Sequence, residues 1–158
     1  SLRAGTDVAA VSAFQQKTSE LMGQIKGAGQ KITEAYTRLE YLKAALKETP
    51  KATAQHFAQW NQQRNQLNQL QMRLNGDPIR QGFNEATSPS ISGLIGHIAS
   101  GHWATRQNPT HTYQDNFEIA ARDFTQFTGD LEQYLLALEQ YEAALAAAGA
   151  PYTRGRKL

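Results

Sequence analysis

The chain of 158 residues reads as all-α: an antiparallel bundle of three long helices plus one short helix. Three observations predict this. Two long stretches carry apolar residues at alternating spacings of three and four, which is the repeat of a helix seam and not of a strand. The segments between them are punctuated by proline and glycine where helices stop or start. No strand is evident anywhere, and with 40% hydrophobic and 19% charged residues the composition is neither that of a disordered chain nor that of a membrane protein.

The first long helix is expected over about 8–48. Val11, Phe14, Thr18, Leu21, Ile25, Ala28, Ile32, Ala35, Leu39, Leu42 and Leu46 keep one seam in phase. A helix of this length is a rod of roughly 60 Å. Gly23, Gly27 and Gly29 interrupt it, at a cost of about 1 kcal/mol each relative to alanine, but the seam holds its phase on both sides. Thr49-Pro50 ends the helix, because the residue before proline is pushed out of the helical region.

The second helix is expected over about 52–75, with Phe57, Trp60, Leu67, Leu70 and Leu74 on its apolar side. Ten of the seventeen residues from Gln55 to Gln71 are amides, so the other side reads as a solvated face. Gly76 followed by Asp77-Pro78 is a stop signal. After a connector, Ser88-Pro89-Ser90-Ile91 opens a short helix over about 89–104, read with Ser88 as N-cap and Pro89 in the first turn. Ile91, Leu94, Ile95 and Ile98 form its apolar face.

The last helix is expected over about 113–148. Thr112 to Asp115 resembles a capping box with Asp in place of Glu, and Gly149-Ala150-Pro151 stops the helix. Its seam runs Phe117, Ala120, Phe124, Phe127, Leu131, Tyr134, Leu138, Tyr141, Leu145, Ala148. The tail from Tyr152 to Leu158 is short, basic and expected to be extended.

Charge bears on the packing. Seven acids on the last helix (Asp115, Glu118, Asp123, Asp130, Glu132, Glu139, Glu142) face a single base, Arg122, whereas the first helix carries six bases against three acids. Opposite charge favours neighbouring positions for these two helices, although an exposed pair contributes only about 0.2–1 kcal/mol. Short connections predict an up-down-up order of the long helices. The whole of 1–158 reads as a single helical-bundle domain excised from a larger protein, any export signal lying upstream of a start that lacks Met and an apolar core. No apolar stretch reaches the roughly 20 residues needed to cross a bilayer.

Few residues are arranged for chemistry. Cysteine is absent, which excludes disulfides and thiolate metal sites. His97 and His102 are five residues apart and fall on different helix faces, and neither His-Glu-x-x-His nor Glu-x-x-His occurs, so no metal site and no cofactor is expected. No Gly-x-Ser-x-Gly elbow, facing carboxylate pair or phosphate loop is found. A formal net charge of +2 gives no footprint for nucleic acid. Trp60 reads as a core anchor. The one group of residues suited to a binding rim is His102 and Trp103 with the following loop, Arg106 and His111.

The second half resembles a known family. Ser88-Pro89-Ser90-Ile91, Gly96 to Trp103, Asn108-Pro109-Thr110-His111-Thr112 and Gly149-Ala150-Pro151-Tyr152-Thr153-Arg154-Gly155-Arg156 occur in this order and spacing. The chain is thereby similar to the C-terminal helical region of large secreted bacterial proteins with BNR or sortilin-like (VPS10-like) β-propeller repeats, often labelled glycosyl hydrolases or exo-sialidase-like. The first helix also resembles the segment after a small β-sandwich in that family. The resemblance implies an accessory, non-catalytic domain of an exported protein, packing on its own propeller or on another protein; any hydrolase activity would belong to the propeller. Two other expectations stand beside it: a carbohydrate- or peptide-binding module at the Trp103 rim, and self-association through the seams.

Overall fold

The computed structural model describes residues 2–77, 89–105 and 111–155, and the side chains of 8–77, 89–101 and 112–155. The order of elements is α1 (Leu2–Lys47), α2 (Ala54–Asn75), α3 (Ile91–Thr105) and α4 (His111–Ala147), and no strand occurs among the described residues. This is the all-α bundle of three long helices and one short one. The chain divides into two compact units: Ser1–Ala28 with Met72–Phe127, and Gly29–Gln71 with Thr128–Leu158.

Both seams form the core, the first from Phe14 onward. On α1, Phe14, Thr18, Leu21, Ile25, Ala28, Ile32, Ala35, Leu39, Leu42 and Leu46 are all buried, and on α4 every seam residue from Phe117 to Ala148 is buried. Thr18, the one polar member, donates its hydroxyl to the carbonyl of Phe14 four residues back, so it enters the core with its hydrogen bond satisfied.

In the first unit Phe14 of α1 meets Phe117 of α4 edge to face, at 5.7 Å between ring centroids, with the ammonium of Lys17 over the same ring. Phe127 is fully buried, stacked on Phe124 and covered by the guanidinium of Arg73 at 5.4 Å. Ser92 Oγ donates to Asn75 Oδ1, tying the start of α3 to the end of α2. The cap of α3 is Ser90, whereas the sequence suggested Ser88, which lies outside the described residues: the amide of Gly93 donates to Ser90 Oγ at 3.0 Å. A Cβ at position 93 would stand 2.8 Å from that oxygen, so glycine three residues on makes Ser90 the better cap. Helix α4 begins at His111, one residue before Thr112, so Thr112 lies within the first turn and is not its N-cap.

In the second unit α1 and α2 run antiparallel, with Leu39 opposite Trp60 and Tyr36 opposite Asn68. The link between them is pinned to the end of α4 by Lys51 N donating to Ala148 O, so α1 and α4 finish side by side and run parallel. Up-down-up is the order of α1, α2 and α4 here. Thr49 stops α1 by folding its hydroxyl back onto Ala45 O at 2.7 Å. Thr53 then caps α2: its carbonyl receives His56 N, while its own amide donates to His56 Nδ1 at 3.0 Å. The imidazole thus takes the part that glutamate plays in a capping box. Gly149 closes α4 in a left-handed conformation (φ 96°), with Gly149 N on Ala146 O and Ala150 N on Leu145 O. Those two bonds define a Schellman turn, which sends the chain back toward α1.

Three apolar residues depart from the periodic reading: Val11 and Leu94 are half-buried, and Phe57 is exposed. Phe57 was expected beside Trp60, yet it is 45% exposed while Trp60 is buried. Helical side chains lean toward their own N-terminus, and in the first turn of α2 Phe57 leans past the end of the helix, where no further turn covers it.

Candidate functional site

In the second unit α1 and α4 bring one pair of opposite charges inward. Arg38 on α1 and Glu142 on α4 form a two-pronged ion pair: Arg38 Nε donates to Glu142 Oε2 at 3.2 Å, and Nη2 donates to Oε1. The Glu142 side chain is 1% exposed and that of Arg38 17%. The fork of a guanidinium matches both oxygens of a carboxylate, so this pairing fixes the register of two helices as well as their charge.

Tyr36, Tyr134 and Tyr141 belong to the same unit. Tyr36 donates to Asn68 Oδ1, joining α1 to α2, and Tyr141 donates to the carbonyl of His56 at 2.9 Å, joining α4 to the first turn of α2. The Tyr134 hydroxyl is buried and meets no hydrogen-bond partner among the described residues. Trp60 completes the frame. Its indole N–H donates to Leu39 O at 2.8 Å, and Lys43 and Arg64 lie over its ring at 5.0 and 5.7 Å. Arg64 also reaches Glu40 at 2.9 Å on the surface.

Burial sets the titration of these phenols. Tyr141 is pushed up to about 12 from an ordinary 10.0 by loss of water. Tyr134 is raised well above the usual phenol value by burial, with the Arg38 charge opposing and Tyr36 and Glu142 adding to the rise. Tyr36 is raised by burial against the opposing charge of Arg64. The folded state therefore holds phenol protons that the unfolded chain releases above pH 10, and by linkage stability must fall as pH rises through that range. Urea midpoints are expected to be level in pH from neutral to about 10 and to drop between about 10 and 12. Tyr134→Phe and Tyr141→Phe should each flatten that drop, yet differ at neutral pH. Tyr141→Phe forfeits a made bond and costs about 1 kcal/mol; Tyr134→Phe removes an unsatisfied hydroxyl and is neutral or stabilising. A steep alkaline loss in the double variant, equal to that of the parent, would refute the assignment.

The residues named from sequence as a binding rim, His102, Trp103, Arg106 and His111, have side chains outside the described residues. His56 has its Nδ1 engaged in the α2 cap. No group of three or more His, Asp or Glu suited to holding a metal ion occurs among the described residues. No helix among them is long and apolar enough to cross a membrane.

The sequence places Glu142 among seven acids of the last helix whose charge opposes that of the first. A signal for its burial was present, since Glu142 stands four residues after Leu138 and three before Leu145, both fully buried. What that spacing lacked was the partner, which only the packing of α1 on α4 supplies.

Fold and polar frame together define the class: an α-helical bundle in whose second unit a buried ion pair binds α1 to α4. No family model, curated protein or solved structure matches the chain.

Proposed function

We propose that the chain is a non-catalytic interaction domain from the C-terminal end of an exported β-propeller protein, where it packs on the propeller or on a protein partner. One observation supports this reading above others. Several polar side chains in the second unit are held in bonds between and within helices: Arg38 on Glu142, Tyr36 on Asn68, Arg64 on Glu40, His56 in a helix cap. Groups fixed in this way act as clamps of a rigid scaffold, and the domain needs no cofactor to work as one. The family resemblance supplies the exported propeller context.

The test is to purify the chain and the propeller encoded with it and measure their association by calorimetry, alongside hydrolysis of glycoside and peptide panels by the chain alone. Binding without hydrolysis is the expected result. Turnover by the isolated chain, or a gene encoding no propeller, would sink the corresponding half of the reading.

Self-association is the second reading. It is favoured by Leu136, 60% exposed on α4, and by Phe57 on α2, two large apolar side chains held outward in the second unit. Sedimentation across a concentration series separates the two: a mass that doubles with concentration and reverts in Leu136→Glu supports the dimer.

A further inference from the structure

We propose that residues 151–155 form a strap that closes over the Arg38–Glu142 ion pair, so that the strength of this pair depends on the strap being docked. The path of the chain carries the argument. The Schellman turn at Gly149 reverses it beside Pro50, where a Cβ on Gly149 would lie 3.2 Å from the proline Cδ. Six residues later Gly155 lies against Arg38: a Cβ there would stand 2.9 Å from Arg38 Cγ. From Arg38 to the end of α1 the helix rises about 14 Å, and six residues reach at most about 20 Å, so the strap runs back along α1 with little slack.

Its side chains behave as those of a docked extended segment. Tyr152 and Arg154 are exposed, while Thr153 between them is 7% exposed. The Thr153 hydroxyl meets no partner among the described residues, so this residue is held by packing and not by a hydrogen bond. Gly155 adopts φ 81°, a left-handed conformation that other residues take at a cost. Two separate features, the left-handed turn and the absent Cβ, thus let the backbone press onto the guanidinium stem. Water kept from the pair leaves the attraction between its charges less screened. With the strap detached, Arg38 and Glu142 become an ordinary half-wetted pair. This goes beyond the proposed scaffold role: it makes the closing of the α1–α4 seam conditional on the C-terminal segment.

A double-mutant cycle with Arg38→Met and Glu142→Gln, run in the full chain and in a chain ending at Ala150, tests it. Loss of the strap should lower the melting temperature by roughly 4 °C and reduce the coupling constant of the pair by at least about fivefold. If the shortened chain does not fold, Gly155→Val in the full chain carries the test. It should lower the melting temperature by several degrees, while Tyr152→Ala leaves it unchanged. A shortened chain with the parent's melting temperature and coupling overturns the proposal, as does a Gly155→Val chain that melts with the parent.

Discussion

Arg38→Met is expected to destabilise the protein by about 3–5 kcal/mol, more than any surface substitution on the same helix. The reason is asymmetric burial. Arg38 keeps 17% of its side chain in contact with solvent, whereas Glu142 keeps 1%. Removing the arginine strands a carboxylate that water cannot reach. Removing the carboxylate strands a guanidinium that can still turn outward, so Glu142→Gln should cost distinctly less, about 1–2 kcal/mol. The pair itself need not be strongly favourable, because desolvating two charges offsets much of their attraction. It follows that Arg38→Met with Glu142→Leu should recover most of what Arg38→Met alone loses. Urea unfolding followed by circular dichroism gives all three values, provided the denaturant slope is unchanged between variants. Equal losses for the two single substitutions would mean that Glu142 is hydrated in solution and that the pair is not buried.

The same pair marks where sequence reasoning stopped. The seams were readable because each is a local repeat: Leu131, Tyr134, Leu138, Tyr141 and Leu145 announce their common face through spacing alone, and all five are buried. The end of α4 was readable for the same reason, since Gly149 and Pro151 constrain their own backbone. Glu142 was not, because its burial is decided by a residue 104 positions away on another helix. Phe57 was misplaced by a rule that is correct inside a helix and weak at its first turn, where a side chain leans beyond the helix end. The cap of α3 turned on whether Ser88 or Ser90 could receive an amide; both have the chemistry, and the missing Cβ of Gly93 favours the second. Thr153 shows the limit most plainly. Nothing in a short basic tail signals that its threonine is buried, because burial there depends on how the rest of the chain packs and not on a local repeat.

Phe127→Ala is the second large expected effect, at about 3–5 kcal/mol. Phe127 is fully buried in the first unit, with Phe124 stacked 6.2 Å away and the Arg73 guanidinium on its ring. Truncation removes a whole ring from a site that rigid helical neighbours cannot easily refill, so the cost includes a cavity as well as lost burial. Arg73 loses the face on which it lies at the same moment, an interaction of about 0.5–2 kcal/mol. Two comparisons separate these contributions. Phe127→Leu keeps most of the volume and loses the ring, so it should cost no more than about 1.5 kcal/mol for packing plus the cation–ring contact. In an Arg73→Ala background the gap between Phe127→Leu and the parent should shrink by the cation–ring share, because that partner is already gone. If Phe127→Ala unfolds at nearly the parent's urea concentration, the ring is not packed in solution, and the burial of the α4 seam at this point would have to be abandoned.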